Sequence, residues 1–199
     1  MTDIKLFNRW DTREVVVEDL GLKSYINLTP TIIPKSSGRY SHLSFQKSKI
    51  NVVERFINKL MVPGHRGKKH KITSGHMVGN TVNLYNHIIK AFEEIEKKTG
   101  KNPVFVLVRA IENSSPIEEV ASYRMGGMIA RNAVVITPQR RMDIALRYLT
   151  QGIYKICFKN KKPLHRVIAE ELIAAYSNDP KAFAVSERNR LEKEAEGAR

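Results

Sequence analysis

Apolar residues recur at helical spacing along most of the chain. Ile50, Val53, Ile57 and Leu60 step by 3, 4 and 3, predicting a first helix over about 46–61 that ends at Pro63-Gly64. Val78, Val82, Tyr85, Ile89 and Phe92 predict a long second helix over about 74–99, stopped by Gly100. A third is predicted over 102–113, with Pro103 in its first turn and Val104, Leu107, Val108 and Ile111 inward. Thr137-Pro138 starts a fourth, to about 158, with Met142, Ala145, Leu149, Ile153 and Ile156 as its stripe. A fifth spans about 163–176 on Leu164, Val167, Ile168 and Leu172. A sixth, about 181–196, is mostly charged and is expected to pack at one end only.

The period changes between the third and fourth helices. Glu119 to Met125 and Met128 to Thr137 are β-capable runs joined by Gly126-Gly127, a hairpin signal because glycine takes positive φ without steric cost. Two strands alone are marginal, so this ribbon must project from a helical body. The fold expected is mainly α, a six-helix bundle with one protruding β-hairpin at about 117–137.

The ends of the pattern are less regular. Residues 1–37 are read as an N-terminal extension, with a possible short strand and turn over 15–28, ordered mainly by a partner. Residues 38–199 form the helical domain. Residues 35–45 interleave Lys35, Arg39 and His42 with Tyr40 and Phe45. Such a loop can contact phosphates and stack on bases, or it can be a plain surface loop with a buried Phe.

Charge sharpens this outline. The 199 residues carry a net +14. Residues 35–71 hold ten Lys/Arg and one acid, and residues 138–166 hold eight and one. The rest nearly cancels, so two blocks carry the excess, which looks like a docking face for a polyanion. No apolar run is long enough to span a bilayer, and the first residues lack a signal-peptide pattern. One cysteine, Cys157, excludes an internal disulfide and suits a reducing interior. A cytoplasmic protein without a membrane partner is expected.

Catalytic constellations do not emerge. The six histidines lack zinc-site spacing, Cys157 lies near an apolar stripe, and the Glu93-Glu94 and Glu118-Glu119 neighbours point apart. Gly64-His65-Arg66-Gly67 is too short for a P-loop. It matches the backbone-clamping loop of KH domains, but its flanks are helical rather than strands. Neither an enzyme nor a cofactor is expected. An architectural DNA-binding protein is a competing reading, weakened because the arm has no bulky wedge at its tip.

Three segments carry a resemblance: GRYSHLSFQKSKINVVERFINKLMVPG, SYRMGGMIARNAVVITPQRRMDIALRYL, and HRVIAEELIAAYSN followed by SERNRLEKEAE. Over about residues 38–199 the chain resembles the universal small-subunit ribosomal protein seven family in its archaeal form, related to the eukaryotic protein S five. The resemblance implies a structural ribosomal protein that binds the 3′ major (head) domain of small-subunit rRNA and organises the head. It implies neighbouring head proteins, and a hairpin at the subunit interface near the exit-site tRNA and the mRNA path. It carries over Arg124, Gly126, Gly127, Arg131, Arg140 and Arg141 as hairpin and base residues. From charge and position, Lys35, Arg39, Tyr40, Lys47, Lys49, Arg66, Lys68, Lys69, Lys71 and Arg147 complete the expected RNA-binding set.

Overall fold

The computed structural model describes residues 4–61 and 80–199. In chain order these form α1 (Leu20–Lys23), α2 (Gln46–Lys49), α3 (Val52–Leu60), α4 (Thr81–Thr99) and α5 (Pro103–Ser114). The strands β1 (Glu118–Met125) and β2 (Met128–Val135) follow, then α6 (Pro138–Cys157), α7 (Leu164–Tyr176) and α8 (Phe183–Glu196). The expected mainly helical fold with one hairpin is present. Among the described residues there are eight helices, of which α1 and α2 are single turns.

Helix boundaries follow local chemistry. Asn51 caps α3, its side chain accepting from the Val53 amide at 2.9 Å. This cap and extended Ile50 split the single helix expected over 46–61 into α2 and α3. Asn80 caps α4, and Gly100 closes it at φ 65. The expected start of that helix at 74 lies outside the described residues. Helix α6 begins at Pro138 as expected, but Thr137 makes no side-chain capping bond.

Helix α5 is the centre of the body. Its sequence suggests one apolar face, yet Val106 and Ala110 are buried along with Val104, Leu107, Val108 and Ile111. A helix apolar nearly all round needs neighbours on every side. It packs against α4, α6, α7 and α8. The face of α4 is rotated from expectation: Leu84, Ile88, Ala91, Phe92 and Ile95 are buried, while Val82 is exposed. Cys157 sits in the core, where burial pushes its thiol up to about 11.

The N-terminal segment departs most from expectation. Residues 15–28 contain the one-turn helix α1 and no strand. The segment packs on the body of the chain: Leu6, Trp10, Val15, Val17, Leu22 and Ile26 join the common core. Trp10 meets Phe92 edge-on at 5.5 Å and donates its indole N–H to Glu96 at 3.0 Å. The Asn102 amide donates to the Asp11 carbonyl at 2.6 Å, and Glu112 accepts from the Glu18 and Asp19 amides. These apolar positions match neither the helical nor the strand period, so pattern alone leaves them unassigned.

Helix α8 packs at both ends, not one. Phe183, Ala184 and Val185 bury its start, and Ala195 buries its end. Its start is held by α6 and α7. Buried Glu171 of α7 accepts from the Ala184 amide at 3.4 Å, placing a carboxylate at a helix N-terminus. Gly152 of α6 makes room for it. A Cβ there would lie 2.6 Å from Glu171 Oε1 and 2.9 Å from Phe183 Cβ. Gly152→Ala is therefore expected to destabilise the fold, by about 1–3 kcal/mol from overpacking. Urea unfolding should show a lower midpoint at unchanged slope; an unshifted midpoint would contradict this tight contact.

Candidate nucleic-acid interface

The ribbon is built around its turn. Gly126 and Gly127 have φ 56 and 105, the paired positive values of a two-residue type I′ turn, and Met125 pairs with Met128 across it. The register pairs Ser122 with Arg131 and Arg124 with Ile129, so both arginines lie on one face. Both are exposed and make no ion pair among the described residues. Arg131 also lines a groove of about 740 Å³ between the ribbon and the end of α8, with Lys193 and Arg199. At the tip, Met128 and Ile129 are 78% and 70% exposed, so the arm does carry bulky apolar groups there, contrary to the sequence reading.

The base of the ribbon uses its cations differently. Arg140 makes a two-pronged ion pair with Glu119, at 2.7 and 2.8 Å, which raises its pKa. Arg141 is mostly buried. It donates to Asp19 Oδ2 at 2.6 Å, to Ser115 Oγ at 3.1 Å and to the Pro116 carbonyl at 3.1 Å. It holds the N-terminal segment, the approach to β1 and the first turn of α6 together. The structure thus places Arg141 as an internal clamp, while Arg140 remains at the surface.

A second group of cations gathers on the body around one carboxylate, Asp143. Lys47 Nζ lies 2.9 Å from Asp143 Oδ2, and Arg55 Nη2 lies 3.1 Å from Oδ1. Burial raises the pKa of Asp143, but Lys47 and Arg55 outweigh it and hold the carboxyl below its ordinary value. Arg55 is only 5% exposed, and its desolvation exceeds the pull of Asp143, so its pKa falls. Lys59, one turn beyond Arg55, is likewise lowered, chiefly by burial; Asp143 pulls the other way, and the charges of Arg147, Lys47 and Arg55 add to the lowering. One acid thus sits among four cations. They flank a cleft of about 220 Å³ lined by Lys47, Arg55, Lys59 and Asp143. An excess of cations over one fixed carboxylate suits an incoming phosphate.

Helix α2 links this cluster to a third one. Lys47 faces Asp143, whereas Lys49 lines a separate polar cavity with Lys35, Arg39 and Tyr40. Exposed Lys35, Arg39 and Lys49 make no ion pair among the described residues. Phe45, at the N-cap of α2, is 74% exposed and holds φ 55. A bulky residue in the left-handed region is uncommon, and a surface aromatic among cations is a stacking platform. The loop therefore does not bury its Phe.

The expected set thus divides. Lys35, Arg39, Tyr40, Lys47, Lys49 and Arg147 lie on the body. Arg124, Gly126, Gly127 and Arg131 form the arm, and Arg140 lies at its base. Arg66, Lys68, Lys69 and Lys71 lie outside the described residues. Arg55 and Lys59 were missed. Both stand in the first basic block, one helical turn apart and off the apolar stripe of α3, which was the signal available.

The model of the family described as ribosomal protein S7p/S5e matches residues 22–199. The chain is 46% identical over 196 residues to the small ribosomal subunit protein uS7 of Nanoarchaeum equitans (strain Kin4-M), covering 98% of this chain and 99% of that protein. The chain belongs to the S7p/S5e family of ribosomal proteins. Both matches begin earlier than the resemblance over 38–199, in line with the packing of the N-terminal segment into the body. Members of the family are structural, non-enzymatic ribosomal components. No described helix is long and apolar enough to cross a membrane.

Asp143→Asn should leave the neighbouring cations uncompensated and destabilise the fold by about 1–3 kcal/mol. The carboxyl titrates lower folded than unfolded. Its stabilisation is complete above the unfolded pKa of about 3.9 and is lost as pH falls through the folded value. The stability gap between wild type and variant should therefore close below about pH 4, and a gap constant with pH would refute the assignment.

Proposed function

We propose that this protein is a structural constituent of the small ribosomal subunit that binds the 3′ major (head) domain of its rRNA. In this reading it organises assembly of the head and touches neighbouring head proteins. The β-hairpin reaches the subunit interface near the exit-site tRNA and the mRNA path. Family membership supports the ribosomal part. The observation that carries the RNA-binding part is the connected set of cations. The outer side of α6 runs from Arg140 at the ribbon's base to Arg147 beside the Asp143 cluster, and α2 extends it to Lys49. Helical spacing sets Arg140 and Arg147 about 10 Å apart along the axis, two turns on one side.

The surface has two kinds of contact. Body cations give salt-dependent, sequence-independent attraction to phosphates. The ribbon, narrow and glycine-tipped, gives position and can follow a groove or a strand. The exposed Met128 and Ile129 also fit insertion between base steps, which keeps duplex DNA as the competitor to exclude.

A fragment of the 3′ major domain RNA should bind with affinity that falls steeply with salt. The log–log slope should be about −4 if roughly five phosphates are neutralised. Arg124→Ala with Arg131→Ala should reduce the slope by about 1–2 without lowering thermal stability. Equal affinity for random duplex DNA would refute the proposed binding to head-domain rRNA. Phe45→Ala should weaken RNA binding by about 5- to 100-fold at unchanged slope, as expected for one lost stack. An unaltered affinity in that variant would remove Phe45 from the interface.

A further inference from the structure

The polar cavity beneath residues 27–54 is shaped unlike the other basic sites. It holds about 110 Å³, against roughly 10–15 Å³ for a single water. That is the space of a ring rather than of an ion. Its mouth carries Lys35, Arg39 and Lys49, and Tyr40 forms part of the wall. Inside lies a carboxylate. Glu54, 7% exposed, spends Oε1 on the Ser36 amide at 2.8 Å and the Ser36 hydroxyl at 2.6 Å. Both of these bonds fall on Oε1, leaving Oε2 outside them. The Thr31 hydroxyl, also lining the cavity, is buried without a hydrogen-bond partner.

These features select a ligand class. A buried carboxylate repels a phosphate from the interior, while the cations at the mouth attract one outside. The second carboxylate oxygen and an unpaired hydroxyl ask for N–H donors. The half-buried Tyr40 ring offers a face for a flat group. A neutral planar heterocycle with an amino group, attached to a flanking phosphodiester, satisfies all of these together. We propose that this cavity receives one unpaired nucleobase bearing an exocyclic amino group. The base stacks on Tyr40 with its donor edge toward Glu54 and Thr31, and its neighbouring phosphates lie on Lys35, Arg39 and Lys49. The inference rests on the RNA-binding reading above and deepens it. Single-stranded RNA is commonly recognised through splayed bases of this kind.

Cytosine and uracil discriminate well, because they share size and differ in having an amino group or a carbonyl at one edge. The full chain should bind a short oligocytidylate roughly tenfold tighter than an oligouridylate of equal length, the preference expected of a hydrogen bond to a charged acceptor. Tyr40→Ala should abolish most of that preference and weaken oligocytidylate about tenfold at unchanged salt slope, while Tyr40→Phe keeps both. Thr31→Val should reduce the preference in part. Thermal unfolding close to wild type in these variants separates the effect from misfolding. Equal affinity for the two strands overturns the proposal, as does a Tyr40→Ala loss that appears only as a flatter salt slope. The same protein titrated with the rRNA fragment and with an unrelated RNA of equal length tests the parent reading. A cytidine preference that depends on Tyr40, without preference for the rRNA fragment, would support the cavity and defeat the head-domain rRNA reading.

Discussion

The Arg141 guanidinium fixes the relation of three segments that are far apart in the chain. It joins Asp19 of the N-terminal segment, Ser115 and Pro116 before β1, and the first turn of α6. A planar cation with several donors can do this because each acceptor takes a different N–H. The geometry of the arm follows. With its root tied to the start of α6, and Arg140 paired to Glu119 one position earlier, the ribbon leaves the body in a defined direction. The turn and strand pairing set the register and the shared face of Arg124 and Arg131; the root sets where that face stands on the body.

Asp143 plays the corresponding part on the body. Four cations brought together without an acid would repel one another and cost stability. One carboxylate permits Arg55 to be buried and Lys47 to be ordered while the cluster keeps a positive excess. The cluster is therefore ordered in the free chain, and a ligand that it received would meet a lower ordering cost. The same economy shapes the core, where Gly152 gives up a side chain so that Glu171 can meet the start of α8.

The helical body and the hairpin were legible because their signals are local. Period, proline and glycine placed α5, α6, α7 and the I′ turn within a residue or two. What stayed hidden depends on distant partners. Trp10 and Leu6 look like a loose extension until Phe92 and Glu96 stand beside them. Val82 shares the spacing of an inner stripe, yet the face actually buried is set by Leu84 and Ile88 against other helices. The site followed the same rule. Charge density pointed to Lys47 and Arg147, but only folding shows Arg55 and Lys59 converging on Asp143, and Arg141 turned inward. The exposure of Phe45 was equally invisible, because its left-handed backbone has no sequence signal for a phenylalanine.

A ribbon moored at one end and unpaired at the other is a cantilever. Each eight-residue strand extends about 26 Å at strand rise, with no third strand to stiffen it. Compliance grows toward Gly126-Gly127, while the root yields least. Force applied at the tip is therefore multiplied into torque at the first turn of α6. There it meets Arg141, and through Asp19 the load passes into the N-terminal segment. The segment read from the sequence as an extension is part of the bracket that lets the arm bear weight.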